Sequence, residues 1–247
     1  MNIYDNFAEV IDPFWQVSSV GQAATVRRPN ALSFALIPHE DAQRQDVRLV
    51  ASAGGLPSPL RLTFEAFSGL HPSNVKGTLG VGLLAVEDGL ANALAFIFLS
   101  AESALLPDAP QAHGFFAACI ISERVLPSWL APLTPLLRRV PFLFRALAPL
   151  KRRVDAHPLD PNLLNEQHTY RIVWQADGAQ FFVDGERVHG VQRAPSVPLQ
   201  PTAWANNDTL RAQADGTIAL GTATVTRPQS LVLNSIALDD EGEAQAS

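Results

Sequence analysis

Strand-length apolar segments, cut apart by Gly, Pro, Asn and Asp, constrain this chain more than any other feature. "ALSFALIP" (31–38), "DVRLVAS" (46–52), "LRLTFEAFSG" (60–69), "GTLGVGLLAV" (77–86), "ALAFIFLS" (93–100) and "GFFAACIIS" (114–122) each end at such a break. Segment 60–69 alternates, with Leu60, Leu62, Phe64 and Ala66 on one face and Arg61, Thr63, Glu65 and Phe67 on the other. Segments 77–86 and 93–100 are apolar at nearly every position, as strands covered on both faces are. "HTYRIVWQADGAQFFVDGERVHG" (168–190) reads as a meander with turns at Asp177-Gly178 and Asp184-Gly185, and Tyr170 and Trp174 are expected in the core. "PTAWANND" (201–208) and "SLVLNSIALD" (230–239) add further strands. Regular strand spacing over 247 residues predicts an all-β, two-sheet antiparallel β-sandwich, one domain over 1–240, with 241–247 as a disordered acidic tail.

One stretch breaks the pattern. "TPLLRRVPFLFRALAPLKRRV" (134–154) is apolar and basic inside a chain of net charge −6. Leu136, Val140, Leu143, Leu147, Leu150 and Val154 fall at alternating four- and three-residue spacing, which makes one apolar stripe on a helix. Arg138, Arg145 and Arg152 lie on the opposite side. The spacing predicts a helical insert near 127–165, kinked at Pro141 and Pro149.

Composition excludes several classes. The acidic balance argues against nucleic acid as a partner. A single cysteine, Cys119, rules out an internal disulfide, and its apolar surroundings predict a small buried hydrophobe. The six histidines lack metal-ligand spacing, so no metal and no cofactor are expected. There is no basic–apolar leader pattern at the N-terminus and no run of about 18 uncharged apolar residues, from which a cytoplasmic location is expected.

The run "HTYRIVWQADGAQFFVDGERV" (168–188) resembles family 16 glycoside hydrolases and their relatives in the concanavalin A-like lectin/glucanase superfamily. The resemblance extends over about residues 10–240, with only 168–190 specific, and is closer still to uncharacterised bacterial members of the superfamily that carry a Pro- and Leu-rich insert here. It implies a jelly-roll sandwich with one sheet curved into a ligand cleft, and it assigns 198–207 to a cleft-face strand. The family's chemistry needs Glu-x-Asp-x-(x)-Glu on one strand, with two carboxyls about 5–5.5 Å apart for a retaining mechanism. The corresponding strand here, "ALAFIFLS", holds no carboxylate.

That substitution suggests a cleft for an apolar or amphipathic small molecule (lipid, terpenoid or polyketide). Phe67, Phe96, Phe98, Trp204 and Asn206 would contact it, under a helical lid carrying Leu143 and Leu147. Glu65 and Asp208 are the candidate proton handlers for a non-hydrolytic cyclase or isomerase. Each has a plain structural alternative: Glu65 as an exposed strand residue, Trp204 as core, Asn206–Asp208 as a turn. Two other functions stay open. One is carbohydrate binding or family 16-type hydrolysis; the other is peripheral contact with an anionic membrane through 136–154.

Overall fold

The computed structural model describes residues 1–86, 89–104, 113–124, 150–212 and 218–240. These residues form two large antiparallel sheets and one hairpin. The first sheet places β13 (Glu186–Val191), β12 (Gly178–Val183), β11 (His168–Gln175), β6 (Leu60–Ser68), β17 (Gln229–Asp239), β4 (Ala31–Leu36) and β3 (Ala24–Arg28) side by side, with β1 (Asn2–Asp5) also on β17. The second runs β10 (Leu150–Leu159), β9 (Gly114–Arg124), β8 (Gly89–Leu99), β7 (Thr78–Ala85), β14 (Leu199–Asn206), β5 (Asp46–Ala51) and β2 (Trp15–Val20). The hairpin pairs β15 (Asp208–Ala212) with β16 (Ile218–Thr222). The expected all-β sandwich and the 168–190 meander are therefore present.

Alternation decides which side chains join the sheets. From β6 come Leu60, Leu62, Phe64 and Ala66; from β8, Leu94, Phe96 and Phe98; from β9, Phe115, Ala117, Cys119 and Ile121. Phe96 sits at the centre. Its ring lies 5.0 Å from Tyr170, 5.6 Å from Phe181, 5.9 Å from Phe64 and 6.2 Å from Phe115, so one side chain of the seven-stranded sheet touches three strands of the other. Such edge-to-face and tilted pairs add about 0.5–1.5 kcal/mol each beyond burial. Tyr170 satisfies its hydroxyl by donating to the Leu163 carbonyl at 3.1 Å, and Trp174 is also fully buried.

The seven-stranded sheet is buried on its outer face too. Leu84, Ala93, Ala95, Ile97, Leu99, Phe116, Ala118, Ile120 and Trp204 form a second cluster there, with Leu210 of β15 laid against it. Two-sided burial explains why β7, β8 and β9 read as continuous apolar runs.

The helical insert is corrected where the structure describes it. Residues 150–159 are strand β10, paired along its whole length with β9 from Leu150↔Arg124 to Leu159↔Phe115, and 161–164 form a 3-10 turn capped by Asp160. The antiparallel ladder pairs the backbone groups that face β9, and Pro158 is tolerated because β10 is an edge strand. Leu143, Leu147 and the rest of the stripe before Leu150 lie outside the described residues.

Because Phe96 joins the sheets, Phe96→Ala is expected to cost about 3–5 kcal/mol of unfolding free energy, measured by urea denaturation. A loss below about 1 kcal/mol, the size of a single methylene contact, would contradict its place as the core anchor.

Candidate functional site

Cross-strand register maps the outer face of the seven-stranded sheet. One row reads Ser18, Arg48, Trp204, Gly80, Ile97 and Phe116 across β2, β5, β14, β7, β8 and β9. The next reads Val20, Asp46, Asn206, Thr78 and Leu99. The β8–β9 half of this face is apolar and the β5–β14 half is polar. Ala93, Ala95, Ile97 and Leu99 are the outward residues of β8, so that strand brings no carboxylate to the face.

The polar corner is built around Asp46, which is 5% exposed. Arg48 grips it with Nε at 2.9 Å and 3.0 Å from the two carboxylate oxygens and Nη2 at 2.6 Å. That hydrogen bonding holds the Arg48 guanidinium above its ordinary pKa against the cost of burial. Arg44 reaches both acids from one nitrogen, at 3.4 Å from Asp46 and 3.2 Å from Asp208. Two carboxylates on one guanidinium nitrogen are close neighbours. Burial pushes the Asp208 carboxyl above the usual range, and Arg44 only partly offsets this.

Trp204 lies flat on β7. A Cβ at Gly80 would come within 2.4 Å of its ring, so only glycine leaves room. Its indole N–H donates to Thr78 Oγ1 at 3.0 Å, and Thr78 donates to Asn206 Oδ1 at 2.7 Å. The Asp208 amide also donates to Asn206 Oδ1, at 3.2 Å. Asn207 stitches the turn to its neighbours by donating to the Gln43 and Ala223 carbonyls at 2.8 Å each. Trp204 at 3% exposure is therefore the floor of the corner rather than an open stacking platform.

The predicted site residues separate into three places. Trp204, Asn206 and Asp208 come together in this corner. Phe96 and Phe98 point the other way, into the core between the sheets. The void beside Phe96 is about 20 Å3, far below the ~300 Å3 at which small-molecule pockets begin. Glu65 and Phe67 are on the outer face of the other sheet, half-buried, where Glu65 accepts from Gln167 Nε2 at 2.8 Å. Glu65 and Asp208 thus stand on opposite outer faces and share no site. Arg44, Asp46 and Arg48 were missed, although Asp46 and Arg48, two apart, share one face of the 46–52 segment and Arg44 lies just before it. Among the described residues, no group of three or more His, Cys, Asp or Glu could hold a metal ion.

No protein-family model matches the chain, and a search of curated proteins found no match. Solved structures do match. The β-glucanase of Bacillus licheniformis aligns at TM-score 0.55 and 13% identity, covering 97% of this chain and 98% of that one. A β-1,3-1,4-glucanase (lichenase) from a mouse hindgut metagenome aligns at 0.56 and 10%, covering 96% and 98%. The endo-β-1,3-glucanase of Pyrococcus furiosus aligns at 0.53 and 15%, covering 96% and 92%. The chain has the concanavalin A-like fold of these glucanases. Neighbours of this kind overturn the expectation of a non-hydrolytic cyclase or isomerase, since they are glucan-cleaving enzymes.

The raised Asp208 carboxyl has a pH signature. The folded state binds this proton more tightly than the unfolded chain, whose pKa is about 3.9. Its contribution to stability is full below that value and is lost as pH rises through the higher folded pKa. Asp208→Asn, which cannot ionise, is expected to remove that component of the pH dependence in a urea-melt series. An unchanged pH profile would contradict the assignment.

Proposed function

We propose that the protein is carbohydrate-active and that a glycan docks at the polar corner of the seven-stranded sheet's outer face. One coincidence carries this reading. A chain with a glucanase-like fold concentrates charged and hydrogen-bonding groups at one end of the face that the resemblance assigns to the cleft, around β14. Arg44 and the Arg48 Nη1 offer guanidinium donors to sugar hydroxyls, and the Asp208 oxygens offer acceptors. Asp46 is committed to Arg48. Asp208 is the group with the environment of a proton donor, since burial keeps its neutral form populated to higher pH.

The test is retention on β-1,3- and mixed-linkage β-1,3-1,4-glucan affinity gels, together with release of reducing ends. Retention is expected, and Arg48→Gln should weaken it. Asp208→Asn should lower any reducing-end release by about 10²–10⁴-fold while leaving retention intact. Release unchanged in that variant would place the acid elsewhere. Neither retention nor release on any glucan would overturn the reading.

A further inference from the structure

The two sheets do not close on each other at every edge. β10 ends the seven-stranded sheet and β13 ends the other, and these two edge strands meet along one open side of the sandwich. Opposite partners on neighbouring strands project to the same face. Arg153, Asp155 and His157 of β10 stand opposite Ile121, Cys119 and Ala117 of β9, all three core residues, so these polar side chains point into the gap between the sheets. On the β13 side His189 stands opposite Phe181, another core residue. Its ring stacks on His157 at 5.7 Å and 16°, and its Nε2 lies 3.2 Å from Asp155.

Beside this pair the gap holds a cavity of about 270 Å3. Cys119, Ile121 and Val191 make its apolar floor; Arg153, Asp155, Gln192 and Arg193 make its polar rim. Burial pushes the Cys119 thiol up to about 12, so it is an uncharged contact surface and not a nucleophile. Its sulfur donates to the Arg193 carbonyl at 3.6 Å. Asp155 lies beside the His189 ring, whose pKa burial pushes down, so the contact is not an ion pair, and Arg153 has no carboxylate partner among the described residues. An apolar recess lined by two guanidiniums, Arg153 and Arg193, and one carboxylate, Asp155, suits a short, singly charged organic acid.

We propose that this open edge is a binding site for a small organic monoanion, its carboxylate on Arg153 and its short apolar tail against Cys119, Ile121 and Val191. The site lies between the sheets, away from the Asp208 corner, and does not rest on the carbohydrate reading. The bland competitor is an edge whose inward charges serve only to block pairing with another chain.

Titration of the ¹⁵N-labelled protein with butyrate tests it. Saturable amide shifts are expected at 119–121, 153–155 and 191–193, and are expected to persist in Asp208→Asn. Arg153→Gln should abolish them at an unchanged Tm. Val191→Phe, which fills the recess while keeping the charge, should abolish them as well. Four results would overturn the proposal. They are no saturable shift with butyrate, equal shifts with butanol, equal shifts with chloride at matched ionic strength, or retained binding in Arg153→Gln. The second would mean an apolar crevice only, and the third an adventitious ion only.

Discussion

The contact of Phe96 with the facing sheet is the interaction on which the rest of this structure depends. Its ring meets Phe64, Tyr170 and Phe181 from the opposite sheet and Phe115 from its own. Fixing Phe96 inward fixes the parity of β8. It sends Ala95, Ile97 and Leu99 outward and, through the ladder β8–β7–β14, sends Gly80 and Trp204 outward with them. A one-residue slip of β8 would put the large rings outside and the small residues in the core. The polar corner therefore inherits its orientation from an aromatic contact buried between the sheets.

The outer face of the seven-stranded sheet is consequently divided in kind. Its β8–β9 half is dry and closely packed, down to the second apolar cluster and Leu210. Its β5–β14 half carries charge, but in a strict arrangement. Arg48 Nε and Nη2 are spent on Asp46, the Thr78 hydroxyl on Asn206 and the Trp204 N–H on Thr78. Asp208 is left less completely paired, with Arg44 half-exposed beside it. Saturation of most of the network gives the remaining groups fixed positions, which is what a binding or acid–base site requires.

How far the sequence disclosed this depends on the residue pattern in each segment. β6 alternates cleanly, so its two faces were legible, and the Asp-Gly turns of 177–178 and 184–185 set the meander. β8 could not be oriented from "ALAFIFLS", because both parities are apolar and periodicity carries no information when both faces are buried. Phe96 and Phe98 were consequently expected in the cleft. The error at 150–154 has a different origin. Leu150 and Val154 are four apart, and residues four apart share a face in a helix and in a strand alike. Their spacing fitted the helical stripe, while the inward Arg153, Asp155 and His157 marked an edge strand. At the site, Asp46 and Arg48, two apart on β5, displayed their common face in the sequence. What the sequence could not display was that Asp208, more than 160 residues away, would share the Arg44 guanidinium with Asp46.

A crystal structure of the protein soaked with a β-1,3-gluco-oligosaccharide tests the central claim most directly. The account predicts sugar density on the outer face of the seven-stranded sheet, with hydroxyls within hydrogen-bond reach of Arg44, Arg48 and Asp208. Density on the outer face of the eight-stranded sheet beside Glu65, or none at saturating oligosaccharide, would contradict it.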